Sequence, residues 1–246
     1  MSAPGAGLDA GLVGLLMARR WGATGRQTIL IDAGTAGGAL ARRLGSAMQS
    51  EYLPAERGLP SLIAAREPLT LKLMADHCYS LDGAAGLRWV LFAPDHPDGA
   101  KYAVRWLSQR ASELMAIDRE RSIVISCSLP DDEDDLLPLL KVMPRLVLLA
   151  PARTREDAEA LQLWCERRGL LDDSHSGTAP QRAFVVIVGP TVLEDDEIEG
   201  IAKLPVAGHL PEIDDKKLLQ MSRRRRDRAS TREFDQVFEL CLTMGA

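Results

Sequence analysis

Thr28-Ile29-Leu30-Ile31-Asp32-Ala33-Gly34-Thr35-Ala36-Gly37-Gly38 decides the fold. A short apolar run ends in a carboxylate and then in a glycine-rich turn. Thr28–Ile31, between Gln27 and Gly34, reads as a strand buried on both faces of a parallel sheet. An acid at the carboxyl end of such a strand stands where α/β proteins place their ligand sites.

Helices and strands alternate outward from this run. Residues 2–9 form a loop of small residues. Ala10 to Arg20 has helical spacing, with Arg19 and Arg20 in its last turn and Gly22 and Gly25 after it. Downstream, Ala39–Leu44, Ser61–Ala65 and Leu69–His77 read as short helices. Lys101–Ile117 is the clearest helix, and Leu136–Leu140 a short one. Thr154–Arg168 is a helix capped by Thr154, and Glu194–Ile201 is short and acidic. The further strand candidates are Leu87–Ala93, Ser122–Cys127, Arg145–Ala150, Ala183–Val188 and Val206–Leu210. This order predicts an α/β, three-layer fold: a mostly parallel sheet with helices on both faces. Residues 1–220 read as one domain. Residues 221–246 read as a basic segment and a helix packed on that domain or on a partner.

Composition narrows the function. The chain has 246 residues, 46% of them hydrophobic, enough for one large core. A net charge of −5 argues against general nucleic-acid binding, and 4% aromatic residues against a base-stacking surface. Cys78, Cys127, Cys165 and Cys241 are scattered, with no CxxC and no histidine at ligand spacing. Reduced, buried thiols in a cytoplasmic protein are expected, and no zinc site. His77, His96, His175 and His209 show no spacing to a serine or acid that supports a hydrolase triad. No 18-residue apolar run is present, so no membrane span is expected.

The order of segments resembles the ParA/MinD group of deviant Walker A ATPases, including its septum-site-determining and TadZ/CpaE-like members. In that group a glycine-rich phosphate loop opens a helix ending in basic residues and glycine. A strand reading V-L-L-I-D-A-D follows. Here the corresponding pieces are Ala3-Pro4-Gly5-Ala6-Gly7-Leu8-Asp9, the helix ending Ala18-Arg19-Arg20, and Thr28–Gly34. Ser122–Pro130 fits the switch II strand, and Lys203–Pro211 a late strand of the group. The resemblance covers roughly residues 2–220. It implies a P-loop NTPase-like fold and a role in cell division, in segregation, or in placing pilus and secretion machinery. It also implies a homodimer, or pairing with a related ParA/MinD-like or machinery protein.

The site that the resemblance implies is degenerate. A P-loop wraps phosphates with backbone N–H groups, neutralises them with lysine and holds Mg²⁺ with a hydroxyl. Gly5 and Gly7 keep part of the first condition. Leu8 replaces the phosphate-binding lysine and Asp9 the hydroxyl. Ile123-Val124-Ile125-Ser126-Cys127-Ser128 has no switch II aspartate, and Ile187-Val188-Gly189-Pro190 no obvious base-reading asparagine. Asp32 alone stands in place, either as a remaining switch I acid or as a carboxylate capping its own loop. The remnant nucleotide site is therefore Gly5, Gly7, Leu8, Asp9 and Asp32, without catalytic residues or a bound cofactor. An active ATP- and Mg²⁺-dependent switch in DNA or plasmid partitioning is the alternative. The group's first strand would precede Ser2, where this chain has only Met1; a start downstream of the natural one is the favoured expectation, and a sheet without that strand or a strand from another chain are the alternatives.

Arg223, Arg224, Arg225, Arg226 and Arg228 form the one basic cluster. Weak, salt-sensitive nucleic-acid binding or partner docking is its expected capacity, with a solvated helix face as the plainer reading. Asp131–Asp135 reads as a solvated helix start. Phe234, Val237, Phe238, Cys241 and Leu242 share a helical face. Acidic Glu233, Asp235 and Glu239 beside it favour packing on protein over binding anionic lipid.

Overall fold

The central strand is where the sequence places it. A computed structural model describes residues 10–23, 27–35, 37–38, 40–42, 44, 57–79, 87–118, 121–127, 134–171, 183–212 and 234–240. β1 (Thr28–Asp32) is buried along its whole length. It pairs in parallel with β2 (Leu87–Leu91) on one side and β3 (Ser122–Ser126) on the other. A second parallel ladder joins β4 (Leu146–Ala150), β5 (Ala183–Val188) and β6 (Val206–Leu210). The strand orders are β2-β1-β3 and β4-β5-β6.

Strand alternation divides the core between two faces. Leu30 points toward α1 (Ala10–Ala23) and the helix at 234–240, where Leu12, Leu15, Phe234 and Phe238 pack together. Ile29 and Ile31 point the other way, with Met74, Leu107, Leu161 and Ile198. That face carries α2 (Leu59–Ala64), α3 (Leu71–His77), α4 (Pro97–Gln109), α5 (Ala111–Asp118), α6 (Leu137–Val142), α7 (Arg155–Arg167) and α8 (Asp195–Ala202). Helices on both faces of parallel strands give the expected α/β class. The helix at 234–240, α9, lies on the core, as its acidic polar face suggests. Residues 213–233, with the arginine cluster and the proposed boundary at 220, lie outside the described residues.

Several boundaries differ from the sequence reading for identifiable reasons. The expected helix Lys101–Ile117 is two helices. Arg110 leaves helical geometry at φ −109° and ψ 21°, and its N–H closes the turn on Leu107 and Ser108 carbonyls. Its guanidinium lies 4.3 Å from the Trp106 ring centre. Pro97 opens α4, because a first-turn residue needs no N–H donor. In the acidic run, Asp134–Leu136 is a 3₁₀ turn, and Asp135 is not merely solvated. Arg105 donates to both of its carboxylate oxygens, at 3.1 and 2.9 Å.

Thr154 caps α7 as expected. Its hydroxyl accepts from Asp157 N–H, and the Asp157 carboxylate accepts from Thr154 N–H at 3.1 Å. Thr154→Ala is expected to cost about 1 kcal/mol in urea denaturation, since one first-turn donor loses its partner. Asp157→Ala should cost a similar amount, because the box is reciprocal.

Candidate functional site

The carboxyl ends of β1, β2 and β3 meet at the loop 33–38. Asp32 is buried there, and its Oδ1 accepts the Gly34 N–H at 3.2 Å. A carboxylate bonded two residues ahead fixes the turn. Ala33 donates its N–H to the Ser126 carbonyl at 2.8 Å, which ties the loop to the end of β3. Ser126 Oγ donates to the Ile31 carbonyl at 3.4 Å.

The loop is also fastened to the segment after β2. Gly38 N–H donates to the Pro94 carbonyl at 2.8 Å. Gly37 has φ 82°, and a Cβ on it would lie 2.5 Å from the Asp95 carbonyl oxygen, so only glycine fits. Arg42 donates to the Gly37 carbonyl at 3.2 Å and lies 3.9 Å from the Asp95 carboxylate. Cys127, at the end of β3, is buried, and its thiol is pushed up to about 11, first by burial and further by the charge of Asp32.

Of the residues proposed from sequence, the structure places Asp32 alone. Gly5, Gly7, Leu8 and Asp9 lie outside the described residues, as do Arg223, Arg224, Arg225, Arg226 and Arg228. Asp32 is seen to hold its own loop. Ser126 occupies the end of β3 and hydrogen-bonds to backbone. Among the described residues, Asp32 is the one carboxylate at the ends of β1 and β3. Among the described residues no group of three metal-binding side chains occurs. Asp32→Ala is expected to cost about 1–3 kcal/mol in denaturant unfolding, because the Gly34 N–H loses its acceptor. Asp32→Asn keeps a side-chain oxygen for that bond and should cost less.

The histidines are better partnered than their spacing suggests. His77 Nδ1 lies 2.8 Å from Ser61 Oγ, and His209 Nε2 lies 2.7 Å from Asp195 Oδ1. Neither contact was visible in sequence, because each joins different elements. Ser61 Oγ in turn bonds the Gly58 carbonyl at 3.0 Å, so the first pair anchors α2 to the end of α3. Burial raises the thiols of Cys78 and Cys165 to about 12, so the described cysteines are protonated at neutral pH. Native protein at pH 8 should therefore react slowly with iodoacetamide at these positions and rapidly once unfolded in urea.

Many solved structures share this fold, among them the following three. The ParA family ATPase of Chlorobium tepidum superposes with a TM-score of 0.66 over 98% of each chain, at 12% identity. The cell division ATPase MinD of Pyrococcus furiosus gives 0.65 over 97% of this chain and 96% of that one, also at 12%. The MinC:MinD cell division complex of Aquifex aeolicus gives 0.63 over 97% and 94%, at 13%. The fold is that of the ParA/MinD ATPases. No protein-family model and no curated protein matches the sequence. At such identity the ParA/MinD likeness is one of fold. No described helix is long and apolar enough to cross a membrane.

Proposed function

We propose that the chain is a ParA/MinD-like positioning or scaffold protein that acts through protein–protein contacts and does not turn over ATP. The observation that carries this reading is Ser126. It ends β3, where the resemblance puts an acid, and its hydroxyl is turned back onto the Ile31 carbonyl. Asp32, the other acid that the resemblance implies, organises its own loop. In the sequence, Leu8 and Asp9 supply neither the positive charge nor the hydroxyl that a transferring phosphoryl group needs. Losing such electrostatic stabilisation costs roughly 3–4 kcal/mol of barrier per donor.

One solved neighbour is a complex of MinD with MinC, which supports partner binding as the working mode of this fold. A homodimer, or a pair with a related protein, would use the face carrying residues 32–38. The proposal places the protein in the cytoplasm, in cell division, segregation or the placement of surface machinery. Titration of the purified chain with Mg-ATP tests it, together with phosphate release. A flat titration and no release above buffer are expected. Micromolar binding abolished by Gly7→Val would overturn the reading and establish the ATP-dependent switch.

A further inference from the structure

The outward face of α7 carries a line of residues that fits itself in reverse. Ala158, Leu161 and Cys165 are buried and turn the other face of the helix to the core. Glu156, Ala160, Leu163 and Arg167 are all exposed, and Leu163, an apolar side chain in mid-helix, is 50% exposed. Their spacings are four, three and four residues, which sets them in one row along the helix. A lone exposed leucine needs no explanation. This leucine stands in a row with a small residue beside it, an acid at one end and a base at the other.

Spacings of four and three are those of a helix-pairing seam. The row is Glu, Ala, Leu, Arg in one direction and Arg, Leu, Ala, Glu in the other. Its midpoint falls between Leu161 and Gln162. A second α7 laid antiparallel over that midpoint sets each Leu163 against the partner's Ala160, and each Glu156 against the partner's Arg167. Large then faces small, so the helix axes approach closely, and acid faces base at both ends. Neighbouring charges are engaged elsewhere: Arg155 pairs with Glu159 at 2.9 Å, and Gln162 donates to Glu166 at 2.7 Å. A backbone N–H, and after it the Thr154 hydroxyl, hold the Glu156 carboxyl below its ordinary range, so it is ionised at neutral pH.

The next helix has the same polarity. α8 packs beside α7 and runs in the same direction, because both connect strands of one parallel ladder. Asp195, Asp196 and Glu197 stand in its first turn and Lys203 at its end. The two-helix layer thus has an acidic end and a basic end, and antiparallel approach opposes them. One flank works against pairing, since the same register brings Glu159 near the partner's Glu166.

We propose that this face of α7 docks on the same face of a second copy of the chain, as an antiparallel two-fold helix pair centred between Leu161 and Gln162. The row supplies both halves of the contact, as a two-fold interface requires. A helix of 13 residues is about 20 Å long. Its area falls short of a standard interface, so the dimer is weak, with a Kd of about 10–100 µM. The contact uses other residues than the face at 32–38 and does not depend on whether nucleotide binds.

Sedimentation equilibrium of the 246-residue chain tests this by charge reversal. The parent should self-associate in that concentration range. Glu156→Arg sets base against base at both ends, and Arg167→Glu sets acid against acid. Two-fold symmetry counts each change twice, so each variant should weaken the dimer about 10-fold or more, with Tm close to that of the parent. Mixed in equal amounts, the two variants regain both pairs between unlike chains and should associate within about threefold of the parent. A parent that stays monomeric at about 500 µM overturns the proposal. Self-association that neither reversal weakens also overturns it, because the dimer then uses another face. A mixture as weak as the separate variants overturns it as well, because the loss then did not come from opposed charges across the pair.

Discussion

Gly14→Ala is expected to destabilise the protein, although in an ordinary helix interior the same change stabilises. Alanine in place of glycine at a helix centre usually contributes about 0.5–1 kcal/mol. Gly14 lies in the second turn of α1, against β3. A Cβ built there would sit 2.8 Å from Ser126 Cβ and 3.3 Å from Leu30 Cδ1. The first distance is below any normal contact, and Ser126 is fixed by its place in a paired strand. Helix or strand must then move, and overpacking of this kind costs about 1–3 kcal/mol. The net expectation is a loss of about 1–2 kcal/mol for Gly14→Ala, and of about 3 kcal/mol or more for Gly14→Val. In a chain of this size, 3 kcal/mol corresponds to a fall in Tm of roughly 6–12 °C. The double variant Gly14→Ala with Ser126→Gly removes the opposing Cβ and should recover most of the loss, a coupling that a double-mutant cycle reads directly. A Gly14→Ala protein as stable as the parent would mean that α1 stands further from the sheet than the structure places it.

That contact shows what sequence reading did and did not reach. β1 was legible because an apolar run with a terminal acid has few other uses, and β5 and β6 were legible for similar reasons. The end of α4 was not, because Arg110 is an ordinary helix former and only its φ and ψ break the helix. Asp32 was found from its position alone. Its bond to Gly34 follows from a two-residue spacing that many aspartates have and few use. The fastening of loop 33–38 to Pro94 and Asp95 and the pairing of His77 with Ser61 join residues distant in sequence. Nothing local announces such pairs. Nothing local marks Gly14 either, since its reason lies in Ser126, 112 positions away.

Phe238→Ala is expected to cost about 3–5 kcal/mol, the largest single effect among these variants. The segment 234–240 has the pattern of an amphipathic tail, and two uses compete for such a pattern: binding at a membrane surface or packing on the protein. In the structure Phe234 and Phe238 are each 2% exposed, with ring centres 5.8 Å apart in an edge-to-face arrangement. Val237 rests on β6 at Gly208, whose φ of 140° and missing side chain leave room for it; a Cβ there would lie 2.9 Å from Val237 Cγ2. The polar face is engaged as well. Arg20 of α1 pairs with Asp235 at 3.4 Å and with Glu239. Burial raises the Asp235 carboxyl against the opposing pull of Arg20. These surface pairs contribute little, about 0–1 kcal/mol each, so the aromatic pair dominates the docking. Truncating Phe238 removes a ring from a packed site lined by α1 and β6, and leaves a cavity beside Phe234. Denaturant unfolding should show the loss in full, and limited proteolysis should cut Phe238→Ala ahead of α9 well before it cuts the parent. Vesicles containing anionic lipid should fail to recover the parent protein in flotation, because the apolar face is already spent on the core. Unchanged stability in Phe238→Ala, together with lipid recovery of the parent that the variant loses, would assign the tail to a membrane surface instead.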